Sequence, residues 1–522
     1  MKSKYKKTTI VIVIIVFVIL FLSLLVNYFI ERKIGTFINT KLDSTKIEYT
    51  SIDVNVWTGN LVITSPTVFL VGQTTNKTIL NAKLKSIEIN DIGYWDLLFN
   101  DKISVESVVV NQLVAKYVHN PIVKKNDYKS GFLDKIEQVI DVKKIKINNA
   151  DILISDYDTD STVLSIPKFN FELKDFQINP KASKLNKKFV YSDFNLTAKN
   201  LKWAINEFDN LFSDSIVITN NSATFKDFRL KTKYKKNQYS KILKTERDHF
   251  KLDIKEVKIS DMDFGFNSDG KFYFKSNHVH FNLPEAEIYR DKLVADDFSY
   301  KPLYGTMLRD LKFNLGLNLV EISQGKITYL EKVKLDKPAG GLDFINLDAT
   351  IINLGNTNGN ADTSIKVNST FMENSPLEVN WNFKVADTTD QFVFKGDLDW
   401  FKAAQMDQFT QPNLNVDLNG ELKQTYFTIS GNPRTSRIDL KIKYDDFEIS
   451  ILKKNEKERN KFLSTIANLF VSEDSEEEKR NFRYGQADTI ERDTTKSVFN
   501  FIWLNLKGGL RSSLIGDGEK VN

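Results

Sequence analysis

Residues 52–64 read IDVNVWTGNLVIT. Two runs of alternating apolar and polar residues flank a Trp-Thr-Gly-Asn step. Alternation with a period of two marks a strand with one buried face, and a Gly/Asn-rich step marks a tight turn. The stretch therefore reads as a β-hairpin, and its frame repeats. With Ser51 at offset zero, apolar residues stand at +3 and +5 (Val54, Val56). Four link residues follow, and apolar residues return at +10 and +12 (Leu61, Ile63).

The same frame starts at Val105 (Val108, Val110, link NQLV, Ala115, Tyr117) and at Val142 (Ile145, Ile147, NNAD, Ile152, Ile154). It starts again at Ser213 (Ile216, Ile218, TNNS, Ala223, Phe225) and at Ile254 (Val257, Ile259, SDMD, Phe264, Phe266). A last copy starts at Leu317 (Val320, Ile322, SQGK, Ile327, Tyr329). In a hairpin of this register +5 pairs with +10 and +3 with +12, so all four apolar positions share one face. The positions between them are mostly polar: Asn55, Lys116, Lys146, Thr224, Lys258, Glu321 and Thr328, with Val109 and Leu153 as exceptions.

The inserts carry further alternating runs and short helical patterns. GFLDKIEQVI (131–140) places Leu133, Ile136 and Ile140 on one helical face, and LKWAINEFDNLFS (201–213) reads as a helix in the same way. LDATIINL, TSIKVNSTF, LEVNWNFKV and QFVFKGDLDW alternate strongly in the second half. GNTNGN (355–360) is a loop whose spacing fits no phosphate-binding fingerprint. Near the C-terminus, ERNKFLSTIANLFVSED (458–474) reads as an amphipathic helix. The acidic SEDSEEEKR (472–480) and a polar run to about Lys496 then read as a linker. In SVFNFIWLNLKGGL, Val498, Phe499, Ile502, Trp503 and Leu506 recur at helical spacing. Two readings stay open for that helix. It packs over a sheet end, or it is interfacial, with Phe499, Ile502, Trp503 and Leu506 meeting a membrane or an envelope protein partner.

The N-terminus sets the compartment. Residues 8–30 carry no charge over 23 positions, roughly 34 Å of helix, enough to cross a bilayer core of ~30 Å. Lys2, Lys4, Lys6 and Lys7 precede them, which keeps the N-terminus cytoplasmic. The apolar run is too long for a cleaved signal, and no small-residue cleavage site follows it. The expected organisation is a cytoplasmic tail (1–7), a signal-anchor helix (8–30), a β-rich extracytoplasmic body (31–455) and C-terminal amphipathic helices with an acidic linker (456–522).

Composition excludes several classes. The chain has 522 residues, 27% of them charged, and a net charge of +5, too small and too dispersed for a nucleic-acid binder. Its zero cysteines remove disulfides, thiolate metal sites and cysteine nucleophiles. His278 and His280 form an H-x-H pair but have no further ligands at local spacing, and His119 and His249 stand alone. DYDTD (156–160) starts like a calcium loop, but Ser161 stands where glycine is needed and Pro167 where glutamate is needed. No nucleophile elbow, P-loop or H-E-x-x-H motif occurs. The chain reads as a non-enzyme with no cofactor.

The anchor followed by IDVNVWTGNLVITSPTVFL and LKSIEINDIGYWDLLFNDKISVESVVVNQLVAKY resembles the opening of AsmA-like proteins of Gram-negative envelopes. NLNVDLNGELKQTYFTISGNPRTSRIDLKIKYDDFEISILKK (413–454) is similar to that family's closing strands, although Arg437-Ile438 stands where a glycine is expected. FNFIWLNLKGGLRSSL also has the flavour of the group. The resemblance implies an inner-membrane anchor, a periplasmic body and an elongated, twisted antiparallel sheet that forms a groove, with short helices at its edges and C-terminus. It further implies a part in phospholipid movement or outer-membrane biogenesis.

The apolar positions fit that expectation. A one-faced sheet must bury its apolar side, and a trough can do so around phospholipid acyl chains at ~0.8 kcal/mol per methylene. The candidate lining is Val54, Val56, Leu61, Ile63, Val108, Val110, Ile145, Ile147, Ile152, Ile154, Ile216, Ile218, Phe225, Val257, Ile259, Phe264, Phe266, Val320, Ile322, Ile327 and Tyr329. The competing readings are a closed β core, and a membrane-anchored scaffold that handles envelope proteins.

Overall fold

Strand accounts for 65% of the chain and helix for 12%, which places the protein in the mainly β class. The computed structural model describes residues 24, 27–28, 32, 45–71, 78–100, 102–119, 138–179, 189–452 and 482–515. The chain divides into two compact units, one up to Glu207 with Leu211–Asn220, the other Phe208–Asn210 with Asn221 onward.

The first unit holds β1 (Thr45–Glu48), β2 (Ser51–Asn55), β3 (Asn60–Thr64), β4 (Thr67–Val71), β5 (Thr78–Lys83), β6 (Ser86–Ile92), β7 (Lys102–Asn111), β8 (Val114–His119), β9 (Val139–Asp156), β10 (Thr162–Ile178), β11 (Phe189–Val190), β12 (Asp193–Ala204) and most of β13 (Asp209–Thr219). The second holds β14 (Ser222–Thr232), β15 (His249–Phe266), β16 (Phe272–Asp291), β17 (Asn314–Lys332), β18 (Gly340–Gly355), β19 (Asp362–Phe371), β20 (Ser375–Lys384), β21 (Phe392–Lys402), β22 (Val416–Gly431), β23 (Thr435–Ile451) and β24 (Arg483–Glu491).

The opening stretch is a hairpin, β2–β3, but its register differs from the expected one by two residues. Val54 pairs with Leu61 and Ile52 with Ile63, while Val56 enters the turn. A shift of two preserves the face, so Val54, Leu61 and Ile63 are all buried. The turn is held by Asn55, whose Oδ1 accepts from Trp57 N (3.0 Å) and Thr58 N (3.2 Å). Gly59 has φ +68°, and a Cβ there would strike the backbone of Asp91 and Ile92, so only glycine fits.

Most later copies of the frame are not hairpins. The third, fifth and sixth lie inside single long strands, β9, β15 and β17. The second runs from β7 into β8, and both strands lie parallel to β9 with unchanged register. The fourth is divided between the two units at Asn220–Asn221. In place of a turn, the link carries one residue in the left-handed region: Gln112 (φ 49°), Asn149 (φ 53°), Asp261 (φ 50°) and Gln324 (φ 55°).

That residue resets the side-chain alternation. Strict alternation from Ile147 would turn Asn149 inward and Ala150 outward. Instead Asn149 is exposed and Ala150 is wholly buried. Asp261 and Met262 behave alike, as do Gln324 and Gly325. Asn149 and Asp261 suit the break because short polar side chains tolerate positive φ better than branched apolar ones.

The breaks align across neighbouring strands. Gln112 and Asn149 lie side by side between the pairs Asn111–Asn148 and Val114–Asp151. Leu283 (φ 51°) and Gln324 lie side by side between Asn282–Ser323 and Glu285–Lys326. Each unit is therefore crossed by lines at which consecutive strands bend together.

Other expectations need correction. The sheets are not purely antiparallel, because β7 and β8 run parallel to β9 and β16 runs parallel to β17. The β16–β17 crossover, residues 292–313, carries the helix Tyr304–Arg309, in keeping with the longer connection that parallel pairing requires. Residues 201–213 are the end of β12, a turn and the start of β13, not a helix. β10 accepts β12 in register from Phe194 to Trp203, and that pairing overrides the local helical spacing. Residues 483–491, read as linker, form β24 against β23.

Segments 131–137 and 458–474 lie outside the described residues, as does the 8–30 anchor apart from Leu24, Asn27 and Tyr28. Among the described residues no helix is long and apolar enough to cross a membrane.

Replacing Asn149 by valine should destabilise the protein by about 1–2 kcal/mol, the cost of a branched side chain in the left-handed region. Asn149→Gly should stay within about 0.5 kcal/mol of the parent. Urea denaturation of the two variants checks the difference. Equal losses would show that the break carries no conformational demand.

Candidate functional site: the apolar rows

The strand register joins apolar residues into continuous rows. In the first unit one row runs Val54, Leu61, Ile89, Val108, Ile145, Leu173, Phe194. Its neighbour runs Ile52, Ile63, Ile87, Val110, Ile147, Phe171, Leu196. Beyond the break at Gln112 and Asn149 two more rows follow, through Ala82, Ala115, Ile152, Ile166 and through Leu80, Tyr117, Ile154, Leu164. Between the rows polar residues pair on the other face, such as Lys146 with Glu172 (3.4 Å).

In the second unit one row runs from β14 to β23 through Phe225, Val257, Phe281, Ile322, Ala349, Val367, Val379, Gly396, Phe427 and Leu440. The second runs through Ala223, Ile259, Val279, Val320, Ile351, Ile365, Trp381, Phe394, Ile429 and Ile438.

Most of the sequence-predicted lining residues fall on these rows. Val56 sits in the first turn, and Ile216 and Ile218 lie on β13, whose Ile216 is buried. Phe264 and Phe266 follow the Asp261 break and pair with Phe274 and Phe272, and Phe266 is 70% exposed at the strand end. Ile327 and Tyr329 follow the Gln324 break, opposite Ala286 and Ile288. Sequence reading missed the parts of the rows on β6, β10, β12, β16 and β18, because those strands lack the +3/+5/+10/+12 frame. Their plain alternation carried the signal.

The rows of the second unit have two fates. Over β20–β24 they are closed. The C-terminal helix Val498–Ile515 buries Val498, Phe501 and Ile502 against Trp381, Phe394, Ile429, Ile438 and Leu440. Tyr304 packs on Trp381, 5.1 Å between ring centres. Gly485 lets the helix approach, since a Cβ there would strike the Gly509 carbonyl. Asn505, fully buried, donates to Phe501 O (2.8 Å) and accepts from Ser436 Oγ (2.9 Å). Ile502 thus faces the sheet with Leu506 beside it, whereas Phe499 (61% exposed) and Trp503 (42%) face outward.

Over β14–β17 no helix of the described residues packs on the rows. Those strands make their main contacts with their in-sheet neighbours, and the helices of the described residues pack chiefly on β7, β18, β22, β23 and β24. The smaller residues Ala223, Val257, Val279 and Val320 are shielded by their neighbours. The larger ones, Phe225, Ile259, Phe281 and Ile322, remain part-exposed.

The uncovered face ends in charge. Phe250 pairs with Ile288, and two residues further along the same face Arg290 forks onto Asp248 (2.7 and 2.6 Å). Beyond that, Glu246 accepts from Lys292 (2.6 Å) and Lys496 (3.2 Å). Burial alone would push the Glu246 carboxyl up, but the two lysines outweigh it and hold it below the usual range. Burial pushes the Tyr329 hydroxyl up, and that hydroxyl donates to Glu331 (2.7 Å).

The two histidines of the H-x-H pair are taken up by neighbouring side chains. His278 Nε2 meets Glu321 (2.6 Å) and His280 Nε2 meets Ser323 Oγ (2.9 Å). Asp156 Oδ1 accepts from Asp158 N, Thr159 N and Thr159 Oγ1, so DYDTD is a closed polar turn. Among the described residues no three or more His, Cys, Asp or Glu are grouped to hold a metal. A cavity of about 250 Å³ lies beside Arg309 and Asn353, and Arg309 is neutralised by Asp390 (2.8 Å). No protein-family model matches the chain, and no curated protein is similar to it.

Glu246→Gln should destabilise the protein by about 1–3 kcal/mol at pH 7, because two half-buried ammonium groups lose their carboxylate. The folded-state value of Glu246 is depressed, so its stabilisation is complete above the unfolded value near ~4.3 and is lost as pH falls through the folded value. Urea midpoints of parent and variant should therefore converge at acid pH. A gap that does not narrow as pH falls below the unfolded value would refute the charge assignment.

Proposed function

We propose that the protein binds phospholipid acyl chains along the uncovered apolar rows and takes part in lipid transport or outer-membrane biogenesis. In this reading residues 8–30 anchor it in the inner membrane and the strand units stand in the periplasm as a groove of the AsmA-like kind. The observation that carries it is the contrast within one pair of rows. A helix closes them over β20–β24, while over β14–β17 Phe281, Ile322, Ile259 and Phe225 stay part-exposed. Soluble proteins rarely leave a long apolar face uncovered without an occupant. Each methylene of an acyl chain laid there gains ~0.8 kcal/mol, and no catalytic group is needed.

The scaffold reading draws less support. A strand-adding scaffold needs a free sheet edge. β24 meets the C-terminal helix instead, where Gln486 N donates to Ser512 Oγ (3.0 Å) and Arg483 Nε to Ser513 O (2.7 Å).

The test is lipid extraction and mass spectrometry on the full chain purified in mild detergent. Phe281→Asp or Ile322→Asp should lose co-purifying phospholipid while remaining folded by thermal melt. Ile429→Asp, inside the closed part, should unfold the second unit. If the parent carries no phospholipid, or if Phe281→Asp and Ile429→Asp unfold it equally, the rows are a closed core and the proposal fails.

A further inference from the structure

The first unit carries an exposed aromatic site beside the end of the apolar N-terminal stretch. Trp57 stands in the β2–β3 turn and is 64% exposed. The residue before it is bonded to the stretch itself, since Val56 N donates to Asn27 Oδ1 (3.1 Å). Tyr28, next to Asn27, is 55% exposed. The turn also leads to a third ring. Gly59 O accepts from Ile92 N (2.9 Å) and Asn60 Oδ1 from Asp91 N (3.3 Å), which fixes the turn to the segment that enters the helix Tyr94–Phe99. Phe99, the last residue of that helix, is 69% exposed.

The depth of this site follows from helix geometry. Read as helix from Thr8, the apolar stretch places Asn27 about 29 Å further along, close to the ~30 Å thickness of a bilayer core. Val56 N, one hydrogen bond away, then lies where hydrocarbon gives way to headgroups. Trp and Tyr are enriched at that level, because an apolar ring with one polar edge suits it. The turn is made by the Asn55 side chain, which binds the backbone of Trp57 and Thr58, and by Gly59. Those contacts do not call for an indole at position 57. Residues 54–63 carry no charge.

We propose that Trp57, with Tyr28 and Phe99, seats this end of the first unit on the surface of the same bilayer in which residues 8–30 are anchored. The occupant follows from the Asn27–Val56 bond, which brings the turn to the end of the anchor. A tether alone would not fix the unit, because residues 31–44, fully extended, reach roughly 45–50 Å. The contact makes a footing of the tether. It also brings Val54 and Leu61, which pair next to the turn and begin one apolar row, beside the headgroups. The proposal rests on the anchor reading of residues 8–30, and not on acyl-chain binding over β14–β17.

The absence of cysteine allows a single reporter. Thr58→Cys in the full chain is labelled with an environment-sensitive fluorophore and held in phosphatidylcholine nanodiscs whose lipid headgroups carry a nitroxide quencher. Strong quenching is expected, and it should survive high salt because the turn is uncharged. A label at Asp158→Cys, in the turn at the other end of β9, should be unquenched. Trp57→Glu should abolish the quenching at Thr58→Cys with no loss in thermal melting, and Trp57→Ser should weaken it. Alkaline extraction of membranes separates the two ways to fail. A chain released by alkali overturns the proposal together with the anchor reading. A chain that is retained, but whose Thr58→Cys label is unquenched or is quenched equally in Trp57→Glu, overturns the footing alone. So does protection of the Thr58→Cys thiol in intact cells without quenching in nanodiscs, which would assign the turn to a protein partner.

Discussion

A strand that alternates strictly cannot keep one apolar face if its apolar residues step by three. This protein contains such steps in many strands, and at several of them a single left-handed residue makes the repair. Ile147, Asn149 and Ala150 show the device: the asparagine takes positive φ, stays in water and returns the alanine to the buried side. The same event at Gln112, Asp261, Leu283 and Gln324 keeps the rows on one face of each unit. If those residues held ordinary strand geometry, the apolar side chains beyond each break would turn to solvent.

The rows that result are long, and what covers them decides what they do. Over β20–β24 a helix seals them, with Gly485 allowing close approach and Asn505 satisfying its own buried amide. This part supplies the dense packing that holds the second unit. Over β14–β17 no helix of the described residues covers the part-exposed Phe225, Ile259, Phe281 and Ile322, and the same face leads along β15 and β16 to the Arg290–Asp248 fork and the Glu246–Lys496 contact. An apolar strip with a charged end is chemically matched to an amphipathic molecule with its headgroup at that end. The Lys496 contact also ties the charged end to the C-terminal helix.

The mainly β class, the apolar frame and the C-terminal helix were legible in the sequence. The meaning of the link was not, because a hairpin turn and a left-handed break both favour Asn, Asp and Gly. The eighth offset differs in most copies: it is Gly59 in the true turn but Leu113, Ala150 and Met262 in three of the breaks, while Gly325 in the last copy matches the turn. Residues 201–213 misled for a different reason: their helical spacing is real, but pairing with β10 holds the chain as strand through Trp203, and β13 begins at Asp209. β24 was hidden by its polarity, since only Ala487 and Ile490 of its side chains pack in the core. The outward pair Phe499 and Trp503 could not be told from inward Phe501 by spacing alone, because the helix is apolar nearly all round.

The central claim is that the rows over β14–β17 hold acyl chains. Crosslinking with a phospholipid that carries a photoreactive group on its acyl chain, followed by peptide mapping of the full chain, tests it most directly. The account predicts adducts on β15–β17 around Ile259, Phe281 and Ile322, and none on Ile429 or Ile438 beneath the helix. Adducts concentrated on the opposite face, around His278 and Glu321, or none at all, would contradict it.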